Sequence, residues 1–137
     1  MKLSRDGLSV LLLTSVVEVR FKRRKSKAGW NDTRRMLCSN NTALLNSMPG
    51  QIALHFKKPT HPPPFNAKQH NLVTTWDILW QDYRNISTET HDVVAVMPTQ
   101  TKEQVEAFWV YFADTLQRTS MAEKIAFMND RKGHLIP

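Results

Sequence analysis

The spacing of apolar residues near the N-terminus predicts a short helix that leads directly into a strand. The leucines of the first turns fall on one helical stripe: Leu3, Leu8, Leu11 and Leu12. Ser4 or Ser9 is a suitable N-cap, because a hydroxyl oxygen can accept a hydrogen bond from a free backbone N–H of the first turn. We therefore expect a helix within residues 1–15 that ends near Thr14.

From Val17 onward the apolar period becomes two, which is typical of a strand with one buried face. Val17, Val19 and Phe21 share one face of this strand, and charged side chains alternate with them. A basic run follows, and then "TRRMLCS" returns as a second strand with Arg34, Met36 and Cys38 on one face and Arg35 and Leu37 on the other. Gly29, Asn31 and Asp32 suit a tight reversal between the two strands. The pattern predicts a long β-hairpin with a basic tip.

The middle of the chain alternates between irregular and β-rich segments. "NNTALLN" indicates a loop or one helical turn, "QIALHF" a short strand, and "KKPTHPPPFNAKQHN" a surface loop, because its prolines lack backbone donors. "PTHPPP" is also compatible with a ligand for aromatic-lined grooves, although a plain connecting loop is the simpler interpretation. "LVTTWDI" and "DYRNI", separated by a turn near "LWQD", predict a second hairpin, and "HDVVAVMP" predicts a last strand.

After Pro98 the apolar period becomes 3.6, which predicts two helices. Thr99 or Thr101 can cap "KEQVEAFWVYFADTLQ", and Ser120 with Glu123 resembles a capping box that opens "MAEKIAFMND". The expected inward residues of the last helix are Met121, Ile125 and Met128. The chain thus reads as one α+β domain over residues 1–137, with an N-terminal helix at 1–15, a β core at 16–98 and a helical hairpin at 99–132.

Charge is distributed unevenly along the 137 residues, whose formal net charge is +7. Residues 1–70 contain 13 Lys and Arg against 3 Asp and Glu, whereas residues 71–137 contain 6 against 9. Such asymmetry is typical of a polyanion-binding surface in the first half of a chain.

Several classes of function are not expected from this composition. Cys38 is the only cysteine, so the chain has no internal disulfide or cysteine-based zinc site, and a reducing compartment is indicated. The histidines show no paired metal-ligand spacing, and with four glycines there is no phosphate-cradling loop. Asp6 and Glu18 interrupt the leucine-rich start, so we expect neither a signal peptide nor a membrane span. We therefore expect a cytoplasmic protein without a cofactor or catalytic residues.

Four segments between Leu8 and Pro98 share a recognisable pattern: "LLLTSVVEVRFKRR", "TRRMLCSNN", "VTTWDILWQDYRNI" and "DVVAVMP". With these segments the chain resembles a family of small bacteriophage proteins that have an SH3-like, Sm-like β-barrel and no known function. The resemblance implies a small open antiparallel barrel, a fold that binds RNA, DNA or other proteins. The longer basic tip, the proline-rich segment and the helices after Pro98 depart from the family pattern.

The basic hairpin is the main candidate site, because a β-ribbon that carries alternate cations can follow phosphates and release condensed counterions. Trp30 at the tip is suited to stacking on an unpaired base. The predicted nucleic-acid-binding residues are Arg20, Lys22, Arg23, Arg24, Lys25, Lys27, Trp30, Arg34 and Arg35, with Lys57 and Lys58 as an extension of the same face. Most of these cations have no neighbouring polar groups that would read the edges of bases. We therefore expect largely sequence-independent binding of DNA or RNA. A solvated tip that protects a sheet edge is the simpler alternative.

Two further interpretations stay open. Trp76, Trp80 and Tyr83 on the second hairpin suit either a stacking platform or the core, and packing is favoured because a small barrel needs large side chains. The alternative function is a protein-interaction module that binds a host or viral complex, as an inhibitor, an adaptor or a virion component. In that case the amphipathic helix "VEAFWVYFADTL" or the proline-rich segment would carry the contact.

Overall fold

A computed structural model describes residues 1–23, 32–47 and 71–137 of the chain. Three predictions fall on the remaining residues and so lie outside the described part: the hairpin tip, the strand "QIALHF" and the proline-rich loop. The same holds for six of the predicted site residues, which are Arg24, Lys25, Lys27, Trp30, Lys57 and Lys58.

Five antiparallel strands form one sheet, so the protein is of the α+β class as predicted. The strands are β1 (Ser15–Lys22), β2 (Thr33–Ser39), β3 (Leu72–Asp77), β4 (Asp82–Ser87) and β5 (Asp92–Pro98). Their order in the sheet is β4-β3-β2-β1-β5. Within the described residues no ladder joins β4 to β5, so this sheet is open and does not close into a barrel.

Both predicted hairpins are present with a defined register. In the first, Val17 lies opposite Cys38 and Lys22 lies opposite Thr33. In the second, β3 pairs with β4 along its whole length, from Leu72 opposite Ser87 to Asp77 opposite Asp82. The turn between β3 and β4 uses a positive φ of 55° at Gln81, which a short reversal of the chain requires.

Four helices accompany the sheet in the described residues: α1 (Arg5–Thr14), α2 (Thr42–Leu45), α3 (Lys102–Gln117) and α4 (Met121–Met128). The Ser4 side chain caps α1 by accepting a hydrogen bond from the Gly7 N–H. Thr101 and Ser120 open α3 and α4 with capping boxes, which satisfy two backbone donors reciprocally at each start. The capping signals in the sequence therefore mark the helix starts correctly. No helix in the described ranges is long and apolar enough to span a membrane.

Apolar clusters cover both faces of the sheet. On one face, Leu8 and Leu12 of α1 pack on the β1 side chains Val17 and Val19. On the other, α3 contributes Phe108 and Phe112 to a cluster that also contains Trp76, Phe127 and Ile136. The prediction that β1 has one solvated face is therefore wrong: Ser15 to Val19 are all buried, including Glu18.

The last helix buries part of the predicted face. Met128 is buried as predicted, whereas Met121 and Ile125 are 59% and 41% exposed, and Phe127 is buried in addition. Because α4 contacts β2, the residues nearest that strand are covered and the preceding turns stay open. The apolar period identified the helix correctly, but it identified only part of the side that faces the sheet.

Candidate nucleic-acid interface

Arg35 of the basic hairpin is buried inside the protein and is not part of its surface. Its Nη2 donates to Glu18 Oε2 at 2.8 Å, and the Glu18 side chain is fully buried. Asp130 lies 3.5 Å from Arg35 Nη1, and the guanidinium lies over the Phe127 ring, 5.3 Å from its centroid. A buried charge requires such partners, because its desolvation is expensive. Arg35 therefore acts in the fold, contrary to its prediction as a contact residue.

Arg34, predicted as a second contact residue, forms an ion pair with Asp77 of β3. Arg34 Nη2 donates to Asp77 Oδ2 at 2.9 Å, and only 12% of the Arg34 side chain is exposed. Burial lowers the pKa of Arg34, and the nearby Asp77 carboxylate opposes this shift. Arg34 consequently exposes little of its side chain to solvent.

The remaining described cations of the hairpin are more accessible. Lys22 is exposed, and its backbone N–H donates to the Thr90 hydroxyl at 3.1 Å. Arg23 is half-buried and donates from Nη2 to Asn129 Oδ1 at 3.1 Å. Arg20 is 42% exposed and lies 3.9 Å from Asp130. Lys22, Arg23 and Arg20 are thus the described hairpin cations that a ligand can reach.

The charge asymmetry of the sequence is partly neutralised in the fold. Within the hairpin segment of the sequence, Glu18 and Asp32 are the only acidic residues beside the cations. The second half of the chain supplies two more carboxylates, Asp77 and Asp130, to these same arginines. The basic surface is therefore smaller than the sequence indicates.

Three arginines from different parts of the chain meet at one cleft, which we call the arginine cleft. It has a volume of about 470 Å³ and is lined by Arg23, Arg34, Trp80, Arg84, Met121, Ile125 and Met128. Arg23 follows β1, Arg34 lies on β2 and Arg84 lies on β4. Arg23 and Arg34 are close enough for repulsion between them to help lower the pKa of Arg23, after the larger effect of burial. The fold thus concentrates positive charge at this place.

Arg84 is a partly exposed arginine of the cleft. Its side chain is 42% exposed, and Nη1 donates to Asp82 Oδ2 at 2.7 Å and to the Tyr83 carbonyl at 2.9 Å. Asp82 is itself 59% exposed, so this ion pair is solvated and contributes little to stability. A phosphate can therefore compete with Asp82 for the guanidinium.

Two N–H groups of the cleft residues have no acceptor within the described part of the chain: Arg34 Nε and Trp80 Nε1. Both atoms are buried. A buried donor without a partner costs roughly 1–3 kcal/mol. The side chains that line the cleft therefore carry donors that the described part of the chain does not satisfy.

The aromatic residues of the second hairpin pack on the core, and one of them also lines the cleft. Trp76 is 3% exposed and packs edge-on against Tyr83, with ring centroids 4.9 Å apart. Packing, the favoured interpretation, is confirmed: Trp80 and Tyr83 are partly buried and pack against the core cluster that contains Trp76. Trp80, in the turn between β3 and β4, also lines the arginine cleft.

Three polar side chains that could carry chemistry, those of Cys38, Asp77 and His91, are buried in the fold. Cys38 is fully buried, and burial raises the pKa of its thiol well above the usual range. Asp77 accepts a hydrogen bond from the Trp80 N–H in the turn, which is a common role for an aspartate at such a position. His91 is buried, and its Nε2 accepts from the Leu3 N–H at 2.9 Å. Within the described ranges, no group of three or more His, Cys, Asp or Glu side chains is arranged to hold a metal ion.

Two contributions to the cleft are absent from the predicted contact residues. Arg84 stands beside Tyr83 on the second hairpin, but it belongs to the acidic half of the chain and so was not counted among them. Met121 and Ile125 were expected in the core, and no local signal in the sequence shows that they line a cleft. The proximity of Trp80 and Arg84 on one predicted hairpin was the one available indication.

Comparison of this chain with protein-family models, with curated proteins and with solved structures gives no match.

Proposed function

We propose that this protein binds nucleic acid through the basic β1–β2 hairpin and the adjoining arginine cleft. The observation that carries the proposal is the convergence of Arg23, Arg34 and Arg84 on one cleft beside Trp80. Guanidinium groups bind phosphate oxygens through paired hydrogen bonds, and an aromatic side chain among them suits a base.

The mechanism is neutralisation of phosphates with release of counterions. Lys22 ends β1 and Arg23 follows it, and the next residues, "RKSK", contribute Arg24, Lys25 and Lys27. Arg84 extends this basic region across the cleft. Because these groups are cations without an arrangement for reading base edges, we expect binding with little sequence preference.

We also propose the finer assignments that the sequence predicted. The strand order, with β1 between β2 and β5, and the preceding helix α1 support a small, open SH3-like, Sm-like barrel of the bacteriophage family. In this proposal the protein acts in the cytoplasm of a bacterial host, has no catalytic step and needs no cofactor.

A salt titration of oligonucleotide binding tests the proposed function. Fluorescence anisotropy would follow labelled single-stranded and double-stranded oligonucleotides for the wild type, for Arg84→Gln and for the triple variant R23Q/R24Q/K25Q. The logarithm of affinity should fall linearly with the logarithm of salt concentration, with a slope near −0.9 per neutralised phosphate on duplex DNA. The triple variant should bind more weakly and with a shallower slope.

Lys102→Gln is a matched control, because it removes an exposed cation from the first turn of α3, outside the cleft residues. It should leave affinity and slope close to the wild-type values. Absence of binding at low salt, or equal effects of Lys102→Gln and Arg84→Gln, would contradict the proposal.

A second function, a protein-interaction module, is favoured by one observation. Val110 of α3 is 74% exposed and the neighbouring Tyr111 is 39% exposed, although the helix buries Phe108, Trp109 and Phe112. Apolar side chains that are exposed together on a helix offer a surface that a partner can cover. Weaker association with a host or viral protein after Val110→Glu, together with unchanged oligonucleotide binding, would support this alternative.

A further inference from the structure

The arginine cleft has two chemically different sides, contributed by different elements. The strands and the β1 end supply the guanidiniums of Arg23, Arg34 and Arg84. Helix α4 supplies apolar side chains, among which Met121 is 59% and Ile125 is 41% exposed. Contact of these apolar side chains with water is unfavourable, and a ligand with a flat apolar surface would remove it.

A nucleotide has the complementary two-sided chemistry. Its base is a flat ring system with hydrogen-bond acceptors on its edges, and its phosphate is an anion. The cleft volume of about 470 Å³ lies within the usual range for small-ligand sites, roughly 300–1,000 Å³. The unpartnered donors Arg34 Nε and Trp80 Nε1 belong to side chains that line the same cleft.

A duplex cannot use both sides of this cleft: it offers phosphates and the edges of its bases, but the flat faces of its bases stay stacked on one another in the helix. A single strand can turn one base out of the stack. We infer that the cleft takes one unstacked base of a single-stranded nucleic acid, with the base against Met121 and Ile125 and the adjoining phosphate against Arg84. This inference depends on the proposed function and specifies its substrate as single-stranded.

The test compares three labelled probes of equal length: oligothymidylate, an abasic strand with the same phosphates, and a duplex. Binding is measured by anisotropy for the wild type, Met121→Ser and Val110→Ser. Met121 and Val110 are both largely exposed apolar residues, but only Met121 lines the cleft. Circular dichroism and thermal unfolding of each variant establish that the fold is kept.

The wild type should bind oligothymidylate more tightly than the abasic strand. Met121→Ser should weaken oligothymidylate binding by about fivefold, within the range for losing part of a base contact, and leave the abasic strand and the duplex unchanged. Val110→Ser should change none of the three affinities.

The outcomes separate the inference from the proposed function. Salt-dependent binding that is equal for all three probes and insensitive to Met121→Ser would overturn the inference and leave the proposed function standing. Absence of salt-dependent binding to any probe would overturn both. Equal losses for Met121→Ser and Val110→Ser would also overturn the inference, because the effect would then not belong to the cleft.

Discussion

Arg35 Nη2 lies 2.8 Å from Glu18 Oε2 in the interior of the protein, where the Glu18 side chain is fully buried. The other oxygen of Glu18 accepts hydrogen bonds from the backbone N–H groups of Leu135 and Ile136. His134 Nδ1 lies 2.9 Å from Glu18 Oε2. One carboxylate of β1 thus joins the basic hairpin to the segment that follows α4.

Removing the Glu18 charge should strongly destabilise the protein. Glu18→Gln keeps the shape and leaves Arg35 buried with Asp130 as its remaining carboxylate, 3.5 Å away. Breaking a buried pair costs about 3–5 kcal/mol, so we expect a loss near 3 kcal/mol in the free energy of unfolding. Urea unfolding followed by tryptophan fluorescence measures this. Glu106→Gln, at an exposed position of α3, should stay within about 0.5 kcal/mol of wild type. Equal losses in both variants would contradict the structural role of Glu18.

Cys38 should be unreactive in the folded protein. The thiol is fully buried, and because burial raises its pKa it stays protonated at neutral pH. Reaction with a thiol reagent then needs an opening of the structure that costs several kcal/mol, so labelling should be more than about 1,000-fold slower than in the unfolded chain. The rate in concentrated guanidinium chloride is the reference. Comparable rates in both conditions would show that β2 is accessible.

Glu123 should titrate below its usual range, and Lys132 should be the main reason. A hydrogen bond from Lys132, at 2.9 Å, lowers the pKa of Glu123, and bonds from Ser120 lower it further. In Lys132→Met the pKa of Glu123 should rise but stay below its ordinary value of 4.5. Carboxyl-carbon NMR titration measures this directly, and Lys102→Met is the matched control.

The same pair gives a pH dependence of stability with a defined sign. Because the folded pKa of Glu123 is below the unfolded one, its contribution is present above the unfolded pKa and is lost as pH falls through the folded pKa. Wild type should therefore lose more stability than Lys132→Met on acidification below the ordinary pKa of 4.5. Identical pH profiles would refute the contribution of this pair.

Releasing Arg84 from its carboxylate partner should strengthen oligonucleotide binding. Asp82→Asn removes the charge that lies 2.7 Å from Arg84 and keeps an oxygen that can accept from the Tyr83 N–H. Affinity at low salt should rise by about two- to fivefold. The slope of log affinity against log salt concentration should become steeper by up to roughly the amount for one more neutralised phosphate. Asp114→Asn removes an exposed carboxylate of α3 that pairs with Arg118, and it should have little effect on oligonucleotide binding. Weaker binding by Asp82→Asn would contradict the role given to Arg84.

Local patterns in the sequence were sufficient for most of the elements. The change from helical to alternating period placed α1 and β1, and the hydroxyl residues Ser4, Thr101 and Ser120 marked three helix starts. These features depend on hydrogen bonds and side-chain directions within a few residues, which any stretch of chain carries with it. The turn between β3 and β4 could be placed for the same reason.

The ion-pair partner of each charged residue could not be predicted from the sequence, because these pairs form between residues that are distant along the chain. Arg34 and Asp77 are 43 positions apart, and Arg35 and Asp130 are 95 apart. An ion pair forms where the fold brings two groups within a few ångströms, and sequence distance carries no information about that separation. The same reason applies to the cleft: the sequence supplied Arg23, Arg84, Met121 and Ile125 as separate residues, and the packing of α4 beside the sheet made them neighbours.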